Sequence, residues 1–200
     1  MRIVRLLATI ALACGLAPVT LAQERPDSAA LVAAQREAMA AFAFMDGTWR
    51  GPATTVVPGG ERRTVTQTER VGPLLDGAIR MIEGRGYDAD GKTAFNALAI
   101  LSYDVRTKAF SLRSYAMGHA GDFPVQRTAD GFSWEIPAGP ATIRYHATVK
   151  DGTWHETGER VVPGQDPVRF FEMRLTRVGD SAWPAAGAGG RPGWRRRRRR

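Results

Sequence analysis

Residues 44–51 read FMDGTWRG, and they mark the border between two kinds of sequence pattern. The turn-forming pair Asp46-Gly47 ends an amphipathic segment, and Trp49 opens a long series of short alternating runs. The pattern before this octet is typical of a helix, and the pattern after it is typical of strands. The octet therefore decides how the chain is divided.

The segment before the octet predicts one α-helix over residues 27–45. Pro26, Asp27 and Ser28 supply a helix-start signal. Spacing of three and four residues between apolar side chains then indicates a helix with one face packed against the rest of the protein. The residues with this spacing are Leu31, Ala34, Ala38, Phe42 and Met45.

The segment after the octet predicts an antiparallel sheet over residues 46–178. Turn residues separate about ten short runs at nearly regular intervals, with no convincing helix between them. Ten sequential hairpins favour an up-and-down barrel, because closure removes the exposed edges of an open sheet. The predicted fold class is therefore all-β, a barrel of about ten antiparallel strands preceded by one N-terminal α-helix.

The two ends of the chain differ from this domain. Residues 1–22 combine two arginines, an apolar run and Ala22, which is the pattern of a secretory signal peptide. We therefore expect export to the periplasm or the extracellular space, with lipidation at Cys14, the only cysteine, as the less favoured alternative. Residues 179–200 consist largely of small residues, prolines and arginines, and this composition predicts disorder.

The formal net charge of +8 comes from the two ends. Without Arg2, Arg5 and the seven arginines at Arg191 and 195–200, the 28 lysines and arginines fall to 19, against 20 acidic residues. A nearly neutral domain does not support specific nucleic-acid binding. The arginine tail leaves two interpretations open, a functionally neutral end or an anchor to an anionic envelope surface.

Hairpin pairing assigns side chains to the inside of the barrel. A two-residue turn at 151–152 pairs Val149 with Trp154 and Ala147 with Glu156. Apart from Glu156 this face is apolar, so it should point inward.

The neighbouring hairpin extends this inner face. With residues 137–140 as the loop, Trp134 pairs with Ile143 and Phe132 with Tyr145. Both partners are apolar or aromatic, which agrees with an inward orientation.

Several polar side chains also fall on the inner face. Gln67 and Glu69 alternate with apolar residues, and Glu156 lies opposite Arg174 in one register of the last hairpin. In the other register Phe171, Met173 and Leu175 point inward. The sequence does not distinguish between the two registers. Buried carboxylates are costly unless paired or hydrated. They indicate a wet or ligand-filled cavity, or a compensated structural network.

GTWRG at residues 47–51, between a helix and a ten-strand meander, resembles the calycin superfamily of lipocalins, fatty-acid-binding proteins and their relatives. The resemblance implies that Trp49 packs across the closed end of the barrel. Residues 42–177 more narrowly resemble an uncharacterised bacterial family of secreted, lipocalin-like proteins of unknown function. The matching segments include ALAILSYD (97–104), RSYAMGHAGDFPV (113–125), GFSWEIPAGP (131–140) and FFEMRLTR (170–177).

GTWRG also resembles the opening of the nitrobindins, ten-strand barrels that hold haem through a histidine near the C-terminal end. The last predicted strand, residues 168–178, contains no histidine, and His146 and His155 fall on the predicted outer face. These two histidines also lack a third ligand for a metal site. We therefore predict no metal and no cofactor, with haem as the alternative.

The leading functional prediction is an exported, non-enzymatic barrel that binds a small amphipathic or hydrophobic ligand. The alternatives are a hydrolase or isomerase that uses the interior carboxylates, a haem-binding barrel, and a structural module of the envelope. Leu98 and Ile100 make one outer sheet face apolar, which predicts a cover by the helix or by a second subunit in a homodimer. The predicted ligand-binding residues are Gln67, Glu69, Phe110, Trp134, Tyr145, Glu156 and Arg174.

Overall fold

The computed structural model describes residues 27–183. The predicted signal peptide at residues 1–22, including Cys14, lies outside the described residues. The arginines of residues 191–200 lie outside them as well. Export, lipidation and the role of the arginine tail therefore stay predictions.

Ten antiparallel strands form a closed barrel in which each strand pairs with its neighbours in sequence and the last strand pairs with the first. This confirms the predicted all-β barrel with one preceding helix. The strands are β1 (Gly47–Val56), β2 (Arg62–Leu74), β3 (Ile79–Tyr87), β4 (Thr93–Asp104), β5 (Ala109–Ala116), β6 (His119–Arg127), β7 (Gly131–Ala138), β8 (Ala141–Lys150), β9 (Thr153–Val161) and β10 (Val168–Gly179).

The helix α1 (Ser28–Ala40) is shorter than predicted. Its first turn is capped by Asp27, whose side-chain oxygen accepts a hydrogen bond from the Ala29 amide at 2.9 Å. A separate 3₁₀ turn (Ala43–Met45) replaces the predicted last helical turn. The change of chain direction after Ala40 lets the 3₁₀ turn enter the end of the barrel. One straight helix would have kept this apolar segment along its own axis.

The helix α1 packs against β3, β4 and the 3₁₀ turn between β2 and β3. The side-chain amide of Gln35 donates a hydrogen bond to the Tyr103 carbonyl at 3.0 Å. Leu98 on β4 is 36% exposed, so the helix does not cover the whole apolar face. The homodimer through this face stays a prediction. Within residues 27–183 no helix is long and apolar enough to cross a membrane.

The two ends of the barrel are built differently. At the end that we call the helix end, Met39, Phe42 and Met45 are completely buried among the interior side chains. The opposite end, which we call the loop end, carries the other set of strand connections. These connections are residues 57–61, 88–92, 117–118, 139–140 and 162–167.

Trp49 lies in the core at the helix end, with 1% of its surface exposed. Its indole nitrogen donates a hydrogen bond to the Met45 carbonyl at 2.9 Å. Its ring meets Trp154 edge to face, with the centroids 5.8 Å apart. Trp49 therefore links the 3₁₀ turn before β1 to the start of β9, two strands away around the barrel.

A buried arginine ties the same turn to β3. Arg80 is 4% exposed, and its Nε donates to an Asp46 carboxylate oxygen at 2.8 Å. A second guanidinium nitrogen donates to the Met39 carbonyl. The guanidinium therefore satisfies backbone and carboxylate oxygens left between α1 and β1, which is the buried use to which arginine is suited.

The register of the β8–β9 hairpin is confirmed. Val149 pairs with Trp154, and Ala147 pairs with Glu156. Asp151 and Gly152 both have positive φ, 50° and 72°, as a two-residue turn of this hand requires.

The predicted register between β7 and β8 is wrong by two residues. Trp134 lies opposite Tyr145, and Phe132 lies opposite Ala147. The turn consists of the two residues 139–140 instead of the four predicted, because both strands continue pairing to the turn. The inward orientation of Trp134 and Phe132 is unaffected, since a shift of two preserves the face.

The last hairpin adopts the second of the two registers. Glu156 lies opposite Met173, and Arg174 lies opposite His155 on the outer face. The pairing of Glu156 with Arg174 is therefore wrong. An irregularity between Arg169 and Phe171 adds one residue to β10, and such a bulge moves the following side chains to the other face.

The chain continues in contact with the barrel after β10. Gly179, the predicted start of the disordered tail, is the last residue of β10. The Ser181 hydroxyl then donates to the Val71 carbonyl, and the Trp183 ring lies 4.3 Å from the Arg70 guanidinium carbon. The first residues of the predicted tail thus pack on β2, and residues 184–200 lie outside the described part of the chain.

Candidate binding site

Two polar side chains of β2 lie inside the barrel. Gln67 is 4% exposed and Glu69 is 8% exposed, and the Gln67 amide donates to a Glu69 carboxylate oxygen at 2.7 Å. Gly84 on β3 faces Glu69, and a Cβ atom there would lie 2.7 Å from the same carboxylate. A glycine at this position therefore lets the Glu69 side chain lie against the β3 backbone.

Glu156 on β9 is the second interior carboxylate, with 8% of its surface exposed. The indole nitrogen of Trp154 donates to one of its oxygens at 3.1 Å. Trp154 was predicted to point inward but was not predicted as a site residue. Its position two residues before Glu156, on the same face of one strand, was the available signal.

Burial raises the pKa of Glu69 to about 8 and that of Glu156 to about 7. The charge of Glu156 contributes to the raised pKa of Glu69, so the two groups lie within electrostatic reach. The hydrogen bonds from Gln67 and Trp154 favour ionisation and oppose the effect of burial. The pair therefore holds at least part of a proton near neutral pH, and it can both donate and accept hydrogen bonds.

Neither carboxylate forms a salt bridge within the part of the chain that the structure describes. Glu83, whose pattern resembles that of an inner-face residue, instead points outward and pairs with Arg70 at 2.6 Å. The interior acids are thus distinguished from the acids of the surface, many of which have arginine partners.

Aromatic rings connect the interior carboxylates to the loop end. Trp134 and Tyr145 stack with their centroids 4.5 Å apart and an interplanar angle of 12°. Phe123 lies 5.5 Å from Trp134, and Phe171 lies 5.9 Å from Tyr145. Burial, with a contribution from the Glu156 charge, raises the pKa of Tyr145 to about 12, so its hydroxyl stays protonated.

Two of the seven predicted site residues lie elsewhere. Phe110 is at the helix end, where its ring is 4.9 Å from that of Phe42 and 4.8 Å from that of Tyr103. Arg174 is exposed on the outer face. The structure brings the remaining five together on the inner face: Gln67, Glu69, Trp134, Tyr145 and Glu156.

The three histidines do not enter this interior. His146 and His155 are on the outer face, and a ring nitrogen of His155 lies 2.9 Å from a Glu172 carboxylate oxygen. His119 begins β6 at the loop end and is exposed. The interior of the described barrel therefore has no histidine for axial ligation of a haem iron. Residues 27–183 contain no cluster of three or more metal-ligating side chains.

Two shallow clefts lie outside the barrel, on the outer surface of β1, β2 and β3. One has a volume of about 380 Å³ and is lined by residues that include Arg50 and Thr66. The other has a volume of about 260 Å³ and is lined by residues that include Arg70 and Arg85. Tyr87 belongs to both, so the clefts are adjacent.

No protein-family model and no curated protein matches the chain. The barrel is similar to the crystal structure of Rv2717c from M. tuberculosis, with a TM-score of 0.54. The sequences are 13% identical, and the match covers 70% of this chain and 97% of that chain. At this identity the similarity shows a shared fold and leaves the activity open.

Proposed function

We propose that this chain is an exported, non-enzymatic barrel of the calycin type that binds one small amphipathic ligand in its interior. The polar part of the ligand would contact Glu69 and Glu156, and its apolar part would contact Trp134 and Tyr145. The observation that carries this proposal is a pair of carboxylates, each 8% exposed, that lie inside a barrel and form no salt bridge with any residue of 27–183.

Burial of these two acids carries an energetic cost. A carboxyl group removed from water is unfavourable unless hydrogen bonds replace its hydration. Gln67 donates to Glu69, and Trp154 donates to Glu156 with Trp134 as a further donor, whereas each carboxyl group has capacity for more. Apolar residues at the same positions would pack without this cost. A ligand that donates to or accepts from the two carboxyl groups would add further hydrogen bonds to them.

Access favours the loop end. The aromatic side chains there, Trp134, Tyr145 and Phe171, are only partly buried, whereas Phe42 and Met45 at the helix end are completely buried. Entry between the aromatic rings would require side-chain movement but no break in the barrel. Rings on this route favour a ligand with apolar surface, and the carboxyl groups beyond them favour a polar group at its inner end.

Export is the part of the proposal that rests on the sequence of residues 1–22. N-terminal sequencing of the protein recovered from its host tests this part. The expected mature chain begins at Gln23, directly after Ala22. Recovery of the chain with Met1 intact, inside the cell, would contradict it.

Native mass spectrometry of the protein purified from its host tests ligand binding. We expect a bound molecule that dissociates on unfolding and that is lost from Glu156→Gln. The matched control is Glu135→Gln, because Glu135 is exposed on β7 and pairs with Arg144 at 2.7 Å. The proposal would be refuted if the purified protein carried no small molecule and if no hydrophobic extract of the host quenched its tryptophan fluorescence.

A hydrolase or isomerase is the second candidate, because the pKa of Glu156 near 7 suits a group that both donates and accepts protons at neutral pH. This function predicts turnover whose rate depends on pH near 7 and is abolished by Glu156→Gln in a folded protein. Ligand binding without turnover would favour the first proposal.

A further inference from the structure

The outer surface of β10, β1, β2 and β3 presents aligned polar side chains. One row across these strands consists of Thr176, Arg50, Thr68 and Arg85, each paired with the next by strand register. The neighbouring row consists of Arg174, Pro52, Thr66 and Tyr87. We call these two rows the arginine–threonine face. The two adjacent outer clefts lie along its part on β1, β2 and β3.

The charge on this face is not balanced. Arg50 and Arg174 are exposed, and neither forms a salt bridge with a carboxylate of residues 27–183. Glu83, the outward-facing acid among the residues of the second cleft, pairs with Arg70 at 2.6 Å and with Arg85 at 3.3 Å. It is thus shared between two arginines.

Asp88, the acid of the first cleft, accepts hydrogen bonds from two backbone amides of its own turn. These hydrogen bonds partly neutralise the charge of the Asp88 carboxylate within its own turn. Glu172 lies two residues from Arg174 on the same face of β10, and its pKa is lowered by a hydrogen bond with His155 and, to a smaller extent, by the charge of Arg174. Even with this acid included, guanidinium groups outnumber carboxylates: Arg50, Arg70, Arg85 and Arg174 stand against Glu83, Asp88 and Glu172.

The spacing of the arginines suits an extended partner. Arg50 and Arg85 stand two strands apart, about 10 Å at the usual interstrand distance. Arg50 and Arg174 are diagonal neighbours on adjacent strands, roughly 7–8 Å apart. Thr68 lies between Arg50 and Arg85 in the first row, and Thr66 and Tyr87 follow in the neighbouring row. A chain with repeated anionic groups and many hydroxyls would meet guanidinium and hydroxyl groups in alternation.

The end of the described chain lies beside this face. Trp183 packs over Arg70 and against Gly72, where a Cβ atom would lie 2.9 Å from the Trp183 ring. This contact places Trp183 beside the second cleft, which Arg70 lines.

We infer that the arginine–threonine face binds an acidic polysaccharide, with Arg50 and Arg174 contacting its carboxylates. None of the exposed large apolar side chains of residues 27–183 lines either cleft, which disfavours a lipid surface. Tyr87 is the only aromatic side chain in the clefts, which disfavours stacking of nucleic-acid bases. This site is separate from the barrel interior and stands whether or not the interior binds a ligand.

The test uses the full-length protein with residues 184–200 retained and oligogalacturonate as the probe. Amide chemical shifts locate the contact, and titration gives the affinity at low salt. We expect shifts in β1, β2 and β3, no response to neutral dextran, and about tenfold weaker binding by Arg50→Thr/Arg174→Thr. The matched control is Arg113→Thr/Arg144→Thr, which removes the same charge from arginines paired with Asp122 and Glu135 and should lose less than about twofold.

Four results would overturn the inference. They are no binding of oligogalacturonate, shifts confined to residues 184–200, equal losses in the two double variants, and tighter binding of this face to phosphatidylglycerol vesicles or duplex DNA than to the polysaccharide. All four substitutions are at exposed positions, and the unfolding temperature of each variant verifies that the fold is retained.

Discussion

The helix end and the loop end of the barrel are made by the same ten strands, yet their side chains differ in burial and polarity. At the helix end Phe42, Met45 and Trp49 are at most 1% exposed and pack with other apolar groups. Toward the loop end the rings of Trp134 and Tyr145 are only partly buried, and two carboxyl groups lie between them and the apolar core. Apolar packing and buried polar groups are thus concentrated in different parts of one sheet.

This separation explains how a domain with no disulfide within residues 27–183 tolerates buried acids. The only cysteine is Cys14, so packing and hydrogen bonds must hold the described barrel. The apolar cluster around Phe42 and the guanidinium contacts of Arg80 stabilise one end strongly enough to offset unfavourable burial nearby. The comparison of the two ends gives the following four predictions, from the largest effect to the smallest.

Phe42→Ala should cost about 4 kcal/mol of unfolding free energy, because it leaves a cavity among Phe44, Phe110 and Phe132. Phe123→Ala at the loop end should cost about half as much, since Phe123 is only partly buried. Urea unfolding of both variants measures the difference. Equal losses would show that the two ends are equally packed and would break the comparison.

Arg80→Met should cost about 3 kcal/mol, because it leaves the Asp46 carboxylate and the Met39 carbonyl without their buried partner. Adding Asp46→Asn should recover part of the loss. Arg113→Met, which breaks an exposed pair with Asp122, should cost under about 1 kcal/mol. If these two arginine variants unfold at the same urea concentration, the helix end does not depend on its buried ion pair.

Glu156→Gln should raise the unfolding free energy by about 2 kcal/mol at pH 9 and change it little at pH 4. The folded pKa of about 7 lies above the usual value of 4.5, so the folded chain retains a proton that the unfolded chain releases. Stability present below pH 4.5 is therefore lost as the pH rises through 7. Unfolding curves from pH 4 to 9 should be flatter for the variant, and an unchanged slope would contradict the raised pKa.

Gly84→Ala should cost about 1 kcal/mol, because the new methyl group would lie 2.7 Å from a Glu69 carboxylate oxygen. The same substitution in a Glu69→Ala background should cost less, since the opposing atoms are gone. Gly179→Ala is the matched control, because a Cβ atom there meets nothing within 4 Å. A larger loss of unfolding free energy in the control than at Gly84 would mean that the interior around Glu69 can accommodate an added methyl group.

The barrel could be predicted from the sequence because its signals are local. Turn residues and alternation determine strand and hairpin, and the positive φ values at Asp151-Gly152 fit the turn that the dipeptide favours. The interior position of Glu69 followed from alternation within one strand in the same way. Pairing errors arose where a turn used fewer residues than its composition suggested, as at 139–140.

The parts of the site that could not be predicted depend on single irregularities. The bulge between Arg169 and Phe171 moves Arg174 outward, and nothing in the alternation of β10 distinguishes the two registers. The position of Phe110 depends on how the 3₁₀ turn enters the barrel, which brings Phe42 against its ring. Contacts between distant segments of this kind are fixed by packing, and they leave no local pattern.

Pairing of β1 with β10 also determines when the barrel can close during synthesis and folding. Thr48 pairs with Gly179, so the two edges of the sheet meet only after nearly the entire described chain has been synthesised. Until then both edge strands have unpaired amides and carbonyls, which can pair with another chain. Long-range closure of this kind is slow, because a large loop must be ordered before the contacts form. A chain shortened within β10 should therefore aggregate during folding even if its remaining hairpins form normally.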